Sequence, residues 1–234
     1  MPIERVVNLI SGERCRSHLT VVSLTPILNT IPSLPVTPLS HHLRAWLNHI
    51  QKHRGPFLVV TAIFIGSALL LRAQGRLWIC ACGTVRLWVG DIWSADNSQH
   101  LFDPYTFTHI LHGFIFYGAL VLLPRLLLAW QFCLTLTVEA AWEVFENSAT
   151  IIDRYRTVTL ALGYTGDTII NSMTDILACA FGFWLARRLG PKKTILLFCA
   201  TELFLLAWIR DGLLLNILML LYPVPAIQAW QTSR

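Results

Sequence analysis

From Phe57 to Leu221 the chain is built of long apolar runs separated by short charged or proline-containing breaks, and this pattern leaves few folds open. Charged residues make up only 13 % of the sequence and apolar residues 55 %. A soluble domain carries about 25 % charged residues, and a water-exposed globule of this size needs more polar surface than is available here. The same arithmetic excludes a disordered chain, a coiled coil and a disulfide-stapled miniprotein. The expected architecture is all-α, a polytopic bundle of about five transmembrane helices.

The runs place the crossings at about 57–72, 107–123, 126–146, 168–187 and 194–222, with a short tail at 223–234. The first is short for a bilayer crossing, which takes about 17–25 residues. The last is long and is broken by Glu202 and by Arg210-Asp211-Gly212, so it must tilt, kink or re-enter. Residues 1–56 carry six basic and two acidic residues and five of the eight histidines (His18, His41, His42, His49, His53). Prolines at 26, 32, 35 and 38 break regular structure there. This segment reads as a basic, poorly ordered tail attracted to anionic headgroups, without a signal peptide.

Basic residues also set the orientation. Arg187, Arg188, Lys192 and Lys193 lie between the fourth and fifth crossings, on the same side as the tail, whereas the segments 72–106 and 146–167 balance acids and bases. The positive-inside rule then puts the N-terminus in the cytoplasm and the C-terminus outside. In that topology the polar residues within the crossings collect in the outer half. His109 and His112 are spaced i, i+3, Glu139, Glu143 and Glu146 i, i+4, i+7, and Asp167, Asn171 and Asp175 i, i+4, i+8, so each set shares a helix face. At 1.5 Å per residue the expected layers are His109, Glu146 and Asp167 outermost, His112, Glu143 and Asn171 in the middle, and Glu139 with Asp175 deepest. Glu202 stays apart.

An isolated acid at mid-membrane costs about 2.5–3.5 kcal/mol, so these groups must be paired, protonated, metal-bound or wet. Arg210, Asp211 and Asn216, with Arg154 and Arg156, are candidates to complete the charge balance. Two readings follow. In one, Glu143, Glu146, Asp175 and Asn171 are catalytic, with neighbouring carboxylates separating into acid and base, and His109, His112, Glu146 and Asp167 offer a divalent-metal site. The reaction would be hydrolysis or group transfer on a lipid-linked or membrane-embedded substrate. In the other, the seam glues helices or conducts protons in a non-enzymatic carrier or assembly factor. Partners are therefore the bilayer and such a substrate. No nucleic-acid or phosphate-loop motif is present.

Outside the seam, Cys80-Ala-Cys82 reads as free or externally paired thiols in preference to a metal or redox pair. Ser98, His100 and Asp103 contain triad residue types without a nucleophile elbow, and Asp103 reads as the cap of the second crossing. Cys133, Cys179 and Cys199 read as core residues. Trp142 reads as a wall of the cluster.

The strings Cys80-Ala-Cys-Gly-Thr-Val-Arg-Leu-Trp88, Asn97-Ser-Gln-His100, Thr108-His-Ile-Leu-His-Gly113, Glu139-Ala-Ala-Trp-Glu-Val-Phe-Glu-Asn-Ser148, Ile152-Asp-Arg-Tyr-Arg156, Gly166-Asp-Thr-Ile-Ile-Asn-Ser172 and Asn216-Ile-Leu-Met-Leu-Leu221 give the chain a family likeness. It resembles a family of uncharacterised bacterial multi-pass inner-membrane proteins over about 145 residues. The resemblance implies a cell-membrane location and carries no activity, cofactor or site role.

Overall fold

Two glycines hold the bundle together. Helix α2 (Thr106–Leu120) and helix α5 (Ile169–Leu189) cross so closely that a Cβ on Gly113 would strike the backbone of Cys179, Gly182 and Phe183, and a Cβ on Gly182 would strike the backbone of Ile110. Small residues let helix backbones approach in this way, so dispersion and polar contacts across the seam become strong. In the computed structural model the backbone is described for residues 38–159, 161 and 163–233, and side chains from Arg54 onward. Two compact units, 1–46 and 47–234, divide the chain. Of the first, only the start of helix α1 (Pro38–Ala73) is described.

The described residues contain eight helices and no strand, only an isolated bridge between Trp88 and Phe102. Helix α3 (Leu128–Glu146) packs beside α2 and α5, and Leu136, Ala140 and Ile176 form a core that α1 covers with Val60, Ile63 and Phe64. Helix α4 (Ala149–Val158) follows a serine cap, Ser148, whose Oγ accepts the Ile151 amide. Helix α6 (Pro191–Ile209) and helix α7 (Leu213–Leu221) are bent by 71° at Arg210-Asp211-Gly212. Helix α8 (Pro225–Thr232) closes the described chain.

Two helical stretches, Arg54–Ala73 and Ile169–Leu189, are long and apolar enough to cross a membrane, and the bent pair α6–α7 makes a third if it is one span. At 15 residues α2 is short for a crossing, and α3 carries three glutamates. The expected crossings at 168–187 and 126–146 coincide closely with α5 and α3. Other expectations are corrected. Residues 38–56, placed in the tail, are helical, because no proline lies between Pro38 and Pro56 and the helix runs through Pro56. The tail at 223–234 contains α8. The remaining tail, with Cys15 and His18, lies outside the described residues, as do the side chains of His41, His42, His49 and His53.

The break between α6 and α7 has a clear chemical cause. Arg210 adopts a left-handed backbone and ends α6. Glu202, about two turns back on α6, then turns its carboxylate onto the open end of α7, where Oε1 accepts the Leu213 amide at 2.8 Å and Oε2 the Leu214 amide at 3.1 Å. An acid here satisfies two of the orphan N–H groups and the positive end of the helix dipole. Glu202→Ala is therefore expected to cost roughly 1–2 kcal/mol, by analogy with a lost N-cap, and to loosen α7. Thermal unfolding in detergent checks the cost, and Glu202→Gln, which retains one acceptor, should recover part of it.

Candidate functional site

A cavity of about 320 Å³ opens beside α2 and α3, and its wall carries His109, His112, Glu146, Asp167, Asn171 and Asp175. Of the eight seam residues marked by spacing, only Glu139 and Glu143 do not line it. These two lie behind the wall, fully buried. Tyr105, Trp142, Tyr155, Tyr164 and Asn216 are among its other polar and aromatic residues, as is a further carboxylate, Asp103, and Ile115, Val138 and Ile217 form apolar parts. Ile115 and Val138 are 43 % exposed and Ile217 40 %, so the cavity reaches the apolar outer face of the bundle.

Glu139 organises the imidazoles. Its Oε1 lies 2.6 Å from His109 Nδ1 and its Oε2 2.9 Å from His112 Nδ1. A carboxylate accepts only, so each Nδ1 carries a proton and each Nε2 is left as the nitrogen able to accept a proton or bind a cation. The two rings meet edge to face at 5.2 Å, and Trp142 stands edge-on to His112 at 6.4 Å. His109 Nδ1 is also 3.3 Å from Glu143 Oε1, and its Nε2 is 3.9 Å from Asp175 Oδ2.

Here the expected layering is corrected by one to two helical turns. His109, placed outermost with Glu146 and Asp167, instead meets the deep residues Glu139 and Asp175. The reason is the segment before α2, which folds over the bundle end and occupies the outermost layer. The Ser98 carbonyl accepts the Thr168 amide at 3.1 Å, Gln99 Nε2 donates to the Gly166 carbonyl at 2.9 Å, and the Leu101 carbonyl accepts from Thr174 Oγ1. Asp103 does not cap α2, which starts at Thr106. Its carboxylate takes the Tyr105 amide at 2.7 Å and the Ser98 amide at 3.0 Å. Ser98 and His100 form no triad, since His100 Nδ1 accepts the Arg86 amide at 3.2 Å.

Charge balance is the second correction. Arg210 donates to the Trp230 carbonyl at 2.9 Å and stacks over that indole, Arg154 donates to the Leu220 carbonyl at 3.0 Å, and Arg156 donates to the Tyr164 carbonyl. None of them reaches the cluster. Among the described residues no lysine or arginine lines the cavity. Asp211 is also elsewhere, holding Tyr105 Oη at 3.2 Å and the Gly212 amide at 2.9 Å. Both oxygens of Glu143 and Oδ1 of Asp175 are buried without a hydrogen-bond partner. An unpaired buried carboxylate is costly, so this arrangement suits an added proton or cation. His109, His112 and Glu139 form one group whose ligand-type atoms lie within 4.8 Å of one another, and His109, Glu143 and Glu146 form another.

Asp167, a ligand candidate from its spacing, has both oxygens engaged: Oδ2 accepts from Asn147 Nδ2 and Oδ1 from Tyr164 Oη, each at 2.8 Å. Burial pushes its carboxyl up to about 6 against the pull of these two donors. A raised folded-state value means that the stabilising contribution is complete below the unfolded value and is lost as pH rises through about 6. Unfolding midpoints are therefore expected to rise as pH falls from about 6 to about 4, and Asp167→Asn to flatten that slope, with a contribution of order 3 kcal/mol over the whole interval. Melting curves of the two proteins across this interval check the sign.

Spacing did not mark Asn147, Tyr155 or Tyr164. Asn147 follows the acidic face of α3 by one residue, and the tyrosines lie in the segment read as a plain loop. Polar side chains flanking an acidic stripe are the signal that finds them. Cys80 and Cys82, expected as free or externally paired thiols, are joined in a disulfide. Cys133 and Cys179 are buried, whereas Cys199 is exposed.

Known sequences agree on the family. The family model described as "Protein of unknown function (DUF2585)" matches residues 71–233. A UPF0314 protein of Paracoccus denitrificans is 44 % identical over 183 residues, covering 78 % of this chain and 95 % of the relative. UPF0314 proteins of Novosphingobium aromaticivorans and Sphingopyxis alaskensis are 45 % and 48 % identical, over 76 % and 77 % of this chain and 93 % and 96 % of those relatives. No solved structure matches. With its seam residues all inside the matched region, the chain belongs to this uncharacterised bacterial family, DUF2585, of unknown function.

Proposed function

We propose that the protein is a multi-pass inner-membrane hydrolase or transferase that acts on a lipid-linked substrate entering its cavity from the outer leaflet. The observation that carries this reading is Glu143 and Asp175, buried with unpartnered oxygens beside His109, under a cavity whose rim is apolar and open sideways. A soluble enzyme would close such a rim, whereas a bilayer covers it. The exposed apolar faces support the membrane setting: Phe57, Leu58, Leu196, Leu203 and Leu221 are 64–78 % exposed. Only 11 % of the most apolar window of Arg54–Ala73 is buried. The N-terminus would be cytoplasmic and the bundle would cross about five times, α2 and α3 being crossings shielded by their neighbours.

In this reading Glu139 holds His109 through Nδ1, and His109 Nε2 takes the proton from water or an acceptor hydroxyl as it attacks. Glu146, on the cavity wall, returns a proton to the leaving group, while Asn171 orients the headgroup. Asp175 stabilises the imidazolium that forms. Proton transfer of this kind contributes typically about 10²–10⁴-fold in rate. Were a divalent cation held on His109, Glu143 and Glu146, with His112 beside them, it would supply polarisation of the bond under attack in place of the proton transfers at His109 and Glu146. Asp167, with both oxygens engaged, serves better as a support for the wall.

The test is a comparison of native-membrane lipid extracts incubated with wild-type protein and with His109→Gln. One lipid-linked species should be shortened or transferred by the wild type and left intact by the variant. Lipid profiles that stay identical with metal-supplemented wild-type protein would remove the enzymatic reading. Elemental analysis of the same samples should find a divalent metal in the wild type and less in Glu143→Gln.

A further inference from the structure

A second cluster of reactive side chains lies outside the cavity. The sulfurs of Cys80 and Cys82, a carboxylate oxygen of Asp96 and a ring nitrogen of His100 all fall within 4.8 Å of one another. Cys80 is 6 % exposed and His100 2 %, whereas Cys82 is exposed. We propose that Cys80–Cys82 is a thiol–disulfide exchange site, with the His100 Nε2–H as hydrogen-bond donor to its leaving sulfur and an external dithiol as its partner.

The protonation pattern separates this from a metal site. His100 Nδ1 accepts the Arg86 amide at 3.2 Å, so the neutral ring carries its proton on Nε2. A cation ligand at Nε2 would need that nitrogen bare and would put an N–H on Nδ1, against the Arg86 amide. Nε2 is buried with no hydrogen-bond partner, and its nearest ion-pair atom, Asp96 Oδ1, is 3.8 Å away. The other Asp96 oxygen is held by Arg86 Nη1 at 2.8 Å. A buried proton with no acceptor is costly, and a sulfur that becomes negative in the same cluster supplies one.

The two sulfurs are differentiated. An external thiolate can reach only the exposed Cys82 Sγ. Its attack forms a mixed disulfide at Cys82, breaks the Cys80–Cys82 bond, and sends the electron pair to Cys80. The Cys82 amide donates to Cys80 Sγ at 3.1 Å and so favours the departing thiolate. The neutral His100 Nε2–H is placed to hydrogen-bond that thiolate, and the proton that completes the Cys80 thiol comes from solvent. The partner's second thiol displaces Cys82 from the mixed disulfide, leaving the partner oxidised to a disulfide and Cys80 and Cys82 as two thiols. Thr84 Oγ1, 3.1 Å from Cys82 Sγ, is placed to bond that second leaving sulfur.

The experiment uses the full chain in detergent. Denatured protein should show two more maleimide-reactive thiols after dithiothreitol treatment than before. Incubated with oxidised glutathione, the Cys80→Ser protein should acquire an adduct at Cys82, and the Cys82→Ser protein should acquire none at Cys80. Reduction by dithiothreitol should be roughly tenfold slower in His100→Gln, since exchange rates follow stabilisation of the leaving thiolate. Should that variant fail to fold, a nitrogen-resolved spectrum of the labelled wild type must show His100 as the Nε2–H tautomer, with the Nε2 signal moving when the pair is reduced. Equal rates in folded wild type and variant, an Nε2 signal unmoved by reduction, or zinc held stoichiometrically by the reduced pair would each overturn the proposal.

Discussion

Gly113→Ala is expected to lower folding stability by about 3 kcal/mol or more, at the upper end of what overpacking costs. A new Cβ would run into three backbone positions of α5, at Cys179, Gly182 and Phe183, and backbone cannot rotate aside as a side chain can. The reciprocal change, Gly182→Ala, drives a Cβ into the backbone of Ile110 and should cost a similar amount. Relief requires α2 and α5 to separate, and α2 carries both histidines while α5 carries Asn171 and Asp175. Total stabilities lie near 5–15 kcal/mol, so either change takes a large fraction. Gly118, on the same helix with nothing within 4 Å of its missing Cβ, is the control, and Gly118→Ala should be neutral or slightly stabilising. Unfolding midpoints in one detergent rank the three variants. Equal effects at Gly113 and Gly118 would mean that the close crossing is not what holds the pair.

Glu139→Ala is the second large expectation. One buried carboxylate takes the Nδ1 protons of both His109 and His112. Its removal leaves two buried donors unmet, and breaking such a buried pair costs about 3–5 kcal/mol. The proposed chemistry should fail along with stability, because the tautomers of both rings become unfixed and Nε2 no longer faces the cavity in one form. Glu139→Gln retains an acceptor oxygen for one imidazole and should recover part of the stability while leaving the second ring free. A nitrogen-resolved spectrum of the labelled histidines reads the tautomers directly: both rings Nδ1-protonated in the wild type, and mixed in Glu139→Gln. If the wild type itself shows mixed tautomers, the role given to Glu139 is wrong.

Much of this site could be read from spacing alone. The i, i+3 histidines on α2 and the i, i+4, i+7 glutamates on α3 do share faces, and Asn171 with Asp175 faces them from α5. Periodicity determines which side of a helix a residue takes, but not how far one helix is slid along another. That is why His109 meets Glu139 and Asp175 and not the outer residues. The slide follows from the segment 93–105 folding over the bundle end through bonds between residues about 70 positions apart, such as Gln99 with Gly166 and Ser98 with Thr168. No local pattern reports pairings of that range. The same limit hid the capping of α7 by Glu202, which looked like a stray acid in an apolar run and turns out to satisfy the helix end made by the bend. The amphipathic helix α4 was missed because its ten residues lie between apolar runs that draw the eye, although Ser148 marks its start. The disulfide at Cys80–Cys82 reflects loop geometry that spacing does not encode.

The reading rests on whether the acids next to His109 serve chemistry or hold helices together. Glu143 has no hydrogen-bond partner on either oxygen and is fully buried. A group kept for its reactivity in so poor an environment sets function against stability. The deciding measurement is therefore the unfolding midpoint of metal-free Glu143→Gln against wild type in the same detergent. A neutral amide of the same shape should leave the midpoint unchanged or raise it while abolishing turnover of the lipid-linked species. A fall in the midpoint of the size expected for a broken buried pair would show that Glu143 is a structural strut and would contradict the account.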